Sequence, residues 1–319
     1  MTTRILDLQT PIGVAIVSYN TCALLRACLQ SLQRCTLPLA IVVVDNGSRD
    51  QSPDMVRTEF PSVLLIEPGE NLGFAKGTNR GMQQLMAQLP EMQYMLMLNP
   101  DTEVHDGAIE ALVSFLVAHP RVAVVSPQLC NPDGTLQRAA FRFPTPTMTM
   151  FDLFPPGVVT PGRFYDSWWH GRYPEEGVSD HAFAIDHPLG ACMLTRVAVL
   201  NNVGMLDETY FMYVEEVDWC RRVRAAGWAI WQEPAAVVMH VGGASSQQFK
   251  AAMLTALWQS RMRYWERWAT PHELWWHRFW LRLGMMRLHL QAWLHRVRGQ
   301  LSPTEYAEQA RIYRSLARL

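Results

Sequence analysis

An acidic residue follows almost directly on an apolar run near residue 100. Residues Tyr94–Leu98 are continuously apolar, which predicts a strand covered on both faces. Pro100 cannot donate to a sheet ladder, so we expect the strand to end at Asn99 and to present Asp101 at its carboxyl end. Ligands of open α/β sheets bind at that edge. Asp101 is therefore a candidate ligand-binding carboxylate, with an ordinary turn or cap as the alternative.

Three further carboxylates are concentrated at Glu215, Glu216 and Asp218. On a helix, neighbours one residue apart point in different directions, so Glu215 and Asp218 can share a site that Glu216 does not face. A carboxylate held beside apolar groups or a second carboxylate has a raised pKa and can serve as a general base. The alternative is a solvated helix start, where the helix dipole favours acidic residues.

A histidine follows the apolar run Ala235–Met239. His240 and Asp101 together have the chemistry of a site for Mn²⁺ or Mg²⁺ that leaves coordination positions for phosphate oxygens. The glycines Gly242 and Gly243 would let a diphosphate approach the backbone closely. The alternative is a structural histidine at a strand end.

A polar turn also follows the predicted strand Ala40–Val44. Asp45, Asn46 and Ser48 lie where a carboxylate can accept from ribose hydroxyls or a base N–H, although a capping turn explains the same residues. The chain has no G-x-G-x-x-G after its first strand and no G-x-x-x-x-G-K-[ST]. Both absences argue against dinucleotide-binding and P-loop proteins.

These side chains require a fold that brings strand ends together. Strands alternating with single helices over some 120 residues predict an α/β protein with right-handed crossovers and a mostly parallel sheet, covered by helices on both sides. The predicted strands are Ile12–Val17, Ala40–Val44, Val63–Ile66, Tyr94–Leu98 and Val122–Val125. The polar turn Ser18-Tyr19-Asn20 after the first strand then lies on the same edge as Asp45 and Asp101.

Composition narrows the class of protein. The 319 residues are 49% hydrophobic and 18% charged with a net charge of −1, which is typical of a globular protein and argues against a nucleic-acid partner. Six cysteines without a C-x-x-C pair favour buried thiols in a reducing compartment. No basic region precedes a long apolar core at the N-terminus, so we expect a cytoplasmic protein.

The last 70 residues differ from the rest of the chain. Residues 250–319 contain twelve Lys and Arg but four Asp and Glu, and seven of the twelve tryptophans. Three arginines in Leu274–Leu294 disfavour a membrane span. A helical wheel places Arg278, Arg282, His289 and Arg296 on one stripe, broadly opposite Trp276, Phe279, Trp280, Leu283 and Leu290, with Arg287 interrupting the apolar side. We interpret the segment as an interfacial helix on anionic lipid, at the inner face of the membrane. The alternative is packing on the catalytic domain or on the second subunit of a homodimer.

Taken together, the motifs resemble those of the inverting, nucleotide-sugar-dependent glycosyltransferases of family 2, which have the GT-A fold, and most closely the rhamnosyltransferase-like branch. The matching stretches are Val17–Asn20, Val44–Ser48, Asn71–Asn79, Leu98–Asp101, Gly190–Leu194, Phe211–Arg222 and His240–Ser245. The resemblance implies a Rossmann-like nucleotide-sugar-binding half in 1–130, an acceptor-binding and catalytic half in 131–249, and a helical extension in 250–319.

The resemblance also assigns roles to residues. It implies that Asn99-Pro100-Asp101 is the family's D-x-D motif with Asn in the first place, that Asp101 and His240 hold Mn²⁺ or Mg²⁺, and that Glu216 is the general base. The implied donor-binding residues are Ser18, Tyr19, Asn20, Asp45, Asn46, Ser48, Gly73, Lys76, Asn79, Asn99 and Asp101. Glu216 stands where the family usually has Asp, and the added methylene displaces the carboxylate, so Glu215 and Asp218 stay candidates for the base.

The implied function is transfer of a sugar, rhamnose from dTDP-rhamnose as the best guess, to a hydroxyl of a saccharide or lipid-linked saccharide in surface polysaccharide assembly. One alternative is a sugar nucleotidyltransferase, which would be expected to have a Gly-rich, basic phosphate loop after its first strand, where this chain has Ser18-Tyr19-Asn20. The other alternative is an inactive relative that binds nucleotide or acts as a scaffold, which the departures at Asn99 and Glu216 keep open.

Overall fold

The computed structural model describes residues 10–155, 167–242 and 250–319, apart from the side chain of Lys250. The chain forms two compact units. The first comprises Met1–Arg142, Pro174–Phe211 and Glu215–Ser245, and the second comprises Phe143–Tyr173, Met212–Val214 and Ser246–Leu319, in each case as far as the residues are described.

The secondary structure alternates strands and helices before it becomes helical. The strands are β1 Ile12–Ser18, β2 Leu39–Asp45, β3 Leu64–Ile66, β4 Tyr94–Leu98, β5 Thr102–Val104, β6 Val122–Cys130, β7 Leu136–Gln137, β8 Ala140–Phe141, β9 Phe183–Ala184, β10 His187–Pro188, β11 Cys192–Arg196 and β12 Ala229–His240. The helices are α1 Cys22–Leu32, α2 Ser52–Glu59, α3 Phe74–Gln88, α4 Ala108–Ala118, α5 Pro146–Leu153, α6 Val197–Val203, α7 Glu215–Ala225, α8 Lys250–Trp268, α9 Pro271–Val297 and α10 Pro303–Leu316.

The main sheet of the first unit has the order β3-β2-β1-β4-β11-β6-β12-β5. Strands β1 to β4, β6 and β12 run in one direction, whereas β11 and β5 run antiparallel to their neighbours. The predicted α/β class with a mostly parallel sheet and a C-terminal helical extension is therefore confirmed. The position of β11 between β4 and β6 differs from a simple succession of crossovers, because a strand from far along the chain is inserted there.

Strand β4 runs through the middle of the sheet, and all five of its residues are buried. Its neighbour β1 is buried along its whole length as well. Continuous apolar sequence therefore predicted both strands correctly, because each is covered on both faces of the sheet. Asn99 continues the ladder by one hydrogen bond, from its N–H to the carbonyl of Ala191, before the chain turns.

The short strand β5 brings two distant parts of the chain together. It pairs antiparallel with the end of β12, so that His240 lies opposite Thr102. The next backbone hydrogen bond runs from the N–H of Val241 to the carbonyl of Asp101 at 3.0 Å. This register, rather than any local sequence pattern, places His240 beside Asp101.

The alternative explanation of Asp45–Ser48 as a capping turn is wrong, because helix α2 begins only at Ser52. The N-cap position of α4 is Gly107, and the Asp106 carboxylate before it pairs with Arg34 at 2.7 Å. All six cysteines are free thiols, and four of them are buried as predicted, whereas Cys22 and Cys35 are partly exposed.

The second unit is helical in its described part and contains α5, α8, α9 and α10. Trp265 of α8 stacks on His277 of α9 with ring centroids 4.0 Å apart. The imidazole Nδ1 of His277 lies 2.8 Å from the hydroxyl of Thr149 on α5. Burial lowers the pKa of His277 to about 3, so this ring is a neutral member of the core.

Candidate active site

Two polar turns at the carboxyl ends of β1 and β2 are joined by hydrogen bonds. The backbone N–H of Asn20 donates to Ser48 Oγ at 2.9 Å, and the N–H of Arg49 donates to Asn20 Oδ1 at 2.7 Å. The N–H of Asn46 donates to the carbonyl of Ser18 at 2.8 Å. Asn20 holds a left-handed backbone with φ of 52°, which Asn tolerates better than most residues. The two turns therefore form one rigid platform, with Tyr19 half-buried on it.

The Asp45 carboxylate has one oxygen in use and one without a partner. Asp45 Oδ2 accepts from the N–H of Ser48 at 2.9 Å, whereas Oδ1 is buried and accepts no hydrogen bond from any described residue. The side-chain oxygen of Asn46 is in the same state, while its amide nitrogen donates to the carbonyl of Gly73. Buried acceptors are costly unless something donates to them. Their chemistry fits the hydroxyls and N–H groups of a nucleoside.

The stretch Asn71–Asn79 divides into residues with different surroundings. The amide of Asn79 is consumed by the 206–208 loop: it donates to Leu206 O and Glu208 Oε1 and accepts from the N–H of Leu206. Asn79 is therefore placed as a structural clamp rather than a donor contact. Lys76 is exposed. Gly73 has φ of 80°, and a Cβ there would lie 2.4 Å from the carbonyl oxygen of Phe211, so only glycine fits.

Asp101 and His240 converge at the end of the sheet. His240 Nε2 lies 3.3 Å from Asp101 Oδ1, and both side chains are about nine-tenths buried. Gly242 follows with φ of 71°. The predicted role of Gly243–Ser245 concerns residues outside the described part of the chain.

Gln137 fixes the orientation and the tautomer of His240. The amide nitrogen of Gln137 donates to Asn131 Oδ1 at 2.9 Å and to the carbonyl of His240 at 3.1 Å. Its oxygen must therefore face the imidazole, where it accepts from His240 Nδ1–H at 2.6 Å. A neutral His240 consequently carries its lone pair on Nε2, the nitrogen that faces Asp101.

This arrangement fits a divalent cation. A carboxylate oxygen of Asp101 and the imidazole lone pair of His240 face the same space. Two acceptors at such a short distance repel each other unless a cation or a proton lies between them. Asn99 Oδ1 is a further buried oxygen without a donor among the described residues. Within residues 10–155, 167–242 and 250–319, no three His, Cys, Asp or Glu side chains cluster as a complete metal site. Asp101 and His240 would therefore share an ion with oxygens of a ligand.

The acidic cluster lies at the start of α7, as predicted, and Glu216 is the member that packs against Gly190. A Cβ on Gly190 would lie 3.3 Å from Glu216 Cγ, so the glycine makes room for this side chain. The residue after Gly190 is Ala191, which accepts the backbone hydrogen bond of Asn99. Glu216 is half-buried. Glu216 therefore packs against the residues that lead into strand β11. The expectation that Glu216 faces away from a site shared by Glu215 and Asp218 stays a prediction.

Glu215 and Asp218 have different surroundings. Burial, with the Glu216 carboxylate as a second cause, raises the pKa of Glu215 well above its usual value. Glu215 Oε2 is buried without a hydrogen bond from any described residue. Asp218 Oδ2 accepts from Arg222 Nε at 3.0 Å, and Arg222 also donates to the carbonyls of Val203 and Met205. Asp218 is thus part of a clamp, and the geometry favours the two glutamates as candidates for a base.

The chain enters α7 through a strained backbone. Tyr213 and Val214 have φ of 68° and 70°, a left-handed conformation that β-branched residues rarely adopt. Each such residue costs about 1–3 kcal/mol and is typically retained where the surrounding structure needs it. The strain lies directly before Glu215 and Glu216.

The sequence did not indicate Gln137 at all, and it indicated Gly190 and Arg222 only as members of matching stretches, without their roles. Gln137 follows the turn Asn131-Pro132-Asp133-Gly134, in which the N–H of Gly134 donates to the carbonyl of Asn131. An ordinary turn is what the sequence predicts there. The local sequence does not show that the side-chain oxygen of Asn131 orients Gln137. That role depends on the contact of Gln137 with His240, which lies on a strand distant in sequence.

The chain matches the family model described as Glycosyl transferase family 2 over residues 13–204. It is 30% identical over 276 residues to a Mycobacterium tuberculosis protein named N-acetylglucosaminyl-diphospho-decaprenol L-rhamnosyltransferase, and the alignment covers 82% of this chain and 85% of that protein. The resemblance predicted from the motifs is therefore confirmed.

Two solved structures share the fold. The mannosyltransferase PcManGT of Pyrobaculum calidifontis, in complex with GDP-Man and Mn²⁺, matches with a TM-score of 0.53 and 16% identity over 98% of this chain and 87% of that one. GalNAc-T7, with UDP, GalNAc and Mn²⁺, matches with a TM-score of 0.52 and 15% identity over 72% of this chain and 44% of that one. Both are glycosyltransferases, so the predicted GT-A architecture is confirmed.

The role of Gln137 predicts the tautomer of His240. Nitrogen NMR of the neutral imidazole should show Nδ1–H in the unaltered protein, because Gln137 supplies the acceptor. In Gln137→Leu the Nε2–H tautomer should become populated, since Nε2–H can then donate to Asp101. The ring of His277, in the other unit, is the internal control and should not change. A His240 already protonated on Nε2 in the unaltered protein would contradict the assignment.

Proposed function

Because this chain belongs to the glycosyltransferases of family 2, we propose that it transfers a sugar from a nucleoside-diphosphate donor to an acceptor hydroxyl with inversion at the anomeric carbon. The observation that supports this proposal is the convergence of Asp101 and His240 at one end of a sheet that also carries the Asp45 platform. Glu216 lies near the same turn. The domain roles of 1–130, 131–249 and 250–319 are part of the proposal.

The nucleoside would occupy the platform formed by the two polar turns. Asp45 Oδ1 is the buried acceptor for a base N–H or a ribose hydroxyl, and Asn46 Oδ1 is a second one. Ser18, Asn20 and Ser48 hold the two turns together, so their contribution is chiefly to fix the shape of the platform. Tyr19 is the half-buried aromatic residue of the platform, and we propose that it contacts the base. Lys76 is exposed, and as a donor-binding residue it would act through its charge.

Asp101 and His240 would hold Mn²⁺ or Mg²⁺ at the diphosphate, with Asn99 contributing an oxygen nearby. When bound, the cation supplies positive charge where the leaving nucleoside diphosphate becomes more negative. Asp101 provides the anionic ligand, and His240 provides a nitrogen whose direction is set by Gln137. With Asn in place of the first acid of the family's motif, the two residues carry more of the binding, so the site should bind metal weakly without the donor.

Glu216 is the proposed base. It accepts the proton of the acceptor hydroxyl while that oxygen attacks the anomeric carbon, and the bond to the diphosphate oxygen breaks in the same step. Burial and the adjacent Glu216 carboxylate favour the protonated form of Glu215, because two adjacent carboxylates in a low dielectric resist double ionisation. Glu216 is then the member left to accept the proton.

The relative supports a proposal for the donor and the acceptor. Its printed name gives L-rhamnose as the sugar and an N-acetylglucosaminyl-diphospho-decaprenol as the acceptor. We propose dTDP-rhamnose as the donor and a lipid-linked saccharide in surface polysaccharide assembly as the acceptor for this chain. Such an acceptor places the enzyme at the inner face of a membrane.

Asp101 and Asp133 provide a matched pair for testing the proposal. Both belong to an Asn-Pro-Asp tripeptide, but Asp101 is buried beside His240, whereas Asp133 is exposed and accepts only from Thr135. With Mn²⁺ and a panel of nucleotide sugars, Asp101→Asn should lower the release of nucleoside diphosphate by at least about 100-fold, because it removes the charged ligand. Asp133→Asn should release it at the normal rate.

Near-normal turnover of Asp101→Asn would remove the metal role of this residue. Conversion of a nucleotide sugar and added pyrophosphate into a nucleoside triphosphate and a sugar 1-phosphate, without release of nucleoside diphosphate, would favour the nucleotidyltransferase. No turnover with any donor in the unaltered protein, together with measurable nucleotide binding, would favour the inactive scaffold.

Variants of the two adjacent glutamates test which of them is the general base. Glu216→Gln should bind the donor normally but lose transfer by about 10²–10⁴-fold, because the amide cannot accept the proton. Glu215→Gln should retain most of the transfer activity. Donor affinity by calorimetry and sugar transfer to the acceptor are the two readouts, and a larger loss in Glu215→Gln than in Glu216→Gln would pass the base role to Glu215.

A further inference from the structure

Helix α9 in the second unit has apolar residues on two opposite faces. One face is buried within the unit and includes His277, Leu281 and Met285. Gly284 on the same face allows close packing on α5, since a Cβ there would lie 2.7 Å from Leu153 Cδ2. This face accounts for the attachment of α9 to its unit.

The opposite face is apolar as well, yet exposed. We define the α9 stripe as Trp275, Phe279, Leu283, Met286, Leu290 and Trp293, whose exposed fractions range from 38% to 65%. Their spacing of three and four residues places them within an arc of roughly 100°, and the stripe continues to Val297, a length of about 33 Å. Contiguous exposed apolar surface of this extent marks a binding surface.

The arginine that interrupts the apolar side in sequence is turned away from the stripe. Arg287 Nη1 donates to the carbonyl of Leu153, and its guanidinium lies 5.6 Å from the centroid of the Phe154 ring. The guanidinium of Arg287 therefore interacts with other residues of the second unit, and the α9 stripe is apolar along its length.

Positive charge accompanies the stripe. The sequence contains no Asp or Glu from Leu274 to Thr304, but it contains five arginines. Arg278 and Arg282 line, together with Trp275, Phe279, Leu283 and Met286, an open groove of about 400 Å³. Apolar and aromatic side chains flanked by arginines are complementary to a bilayer surface with anionic headgroups.

We propose that the α9 stripe is the surface by which this protein docks on an anionic membrane, with the helix lying in the headgroup region. No helix in the described part of the chain is long and apolar enough to cross a membrane. The proposed contact is between the α9 stripe and the membrane surface. The purpose of the contact, access to a lipid-linked acceptor, rests on the proposed function; the surface itself does not.

A second copy of the chain is a less suitable occupant. Two-fold pairing of the stripe would bring two sets of Arg278, Arg282 and Arg296 together. Arg278 already pairs with Glu266 at 2.8 Å, but the stretch from Leu274 to Thr304 offers no carboxylate for Arg282 and Arg296, and like charges in an interface are costly. Anionic lipid supplies the missing negative charge.

Flotation of the full chain with lipid vesicles tests the proposal. Vesicles with about 30% anionic phosphatidylglycerol should carry the protein, and neutral phosphatidylcholine vesicles should carry much less. The double variant Met286→Glu/Leu290→Glu should bind at least about tenfold more weakly, because two apolar side chains no longer enter the headgroup region. Arg282→Gln should bind about fivefold more weakly, with a shallower salt dependence.

The matched control is Val178→Glu, which changes an exposed apolar residue of the first unit that is 85% exposed. It should float like the unaltered protein. Donor hydrolysis in solution should be the same in all three variants and the parent. A failed transferase assay would therefore not affect the flotation result, and failed flotation would not affect the transferase assay. Equal flotation of the double variant and Val178→Glu would overturn the proposal, as would a dimer in solution that Met286→Glu/Leu290→Glu dissociates without any flotation of the parent.

Discussion

The antiparallel pairing of β5 with the end of β12 is the constraint on which the site depends. Two backbone contacts define this pairing: Thr102 lies opposite His240, and the N–H of Val241 donates to the carbonyl of Asp101. Because buried and partly exposed residues alternate along most of β12, a slip of one residue would turn every side chain of the strand to the wrong face. The hydrophobic register of the sheet thereby fixes the relation between a carboxylate and an imidazole far apart in sequence.

The polar side chains around Asp101 and His240 are of two kinds: some stabilise the structure through hydrogen bonds, and others are candidates for binding a ligand. Gln137 and Asn131 orient His240, Arg222 clamps Asp218, and Asn79 ties α3 to the 206–208 loop. In contrast, buried oxygens of Asp45, Asn46 and Asn99 accept no hydrogen bond within the described residues. Unsatisfied buried acceptors are costly in a folded protein. Their concentration at the carboxyl ends of the strands is therefore expected of a binding site in which the bound ligand satisfies these acceptors.

The sequence predicted the features that depend on local pattern. A continuous apolar run that stops at Pro100 is enough to place Asp101 at a strand end, and the helical period of α9 is enough to predict a helix. Non-local features were beyond reach: the insertion of β11, the contact of Gly190 with Glu216 and the support of His240 by Gln137 each join residues from distant parts of the chain. The helical wheel of α9 was wrong in part, because a helix with two apolar faces does not reveal which one is buried. Trp276 and Trp280 are half-buried, whereas Met286 and Trp293 are exposed.

Coupling between metal and nucleotide tests the central claim most directly, because two protein ligands alone should hold a divalent cation weakly. Titration of Mn²⁺ followed by electron paramagnetic resonance, with and without dTDP, measures this coupling, which must act equally in both directions. The account predicts uptake of Mn²⁺ that strengthens at least about tenfold when dTDP is present and disappears in the double variant Asp101→Asn/His240→Gln. Equal uptake by the double variant in the presence of dTDP would contradict the placement of the cation between Asp101 and His240.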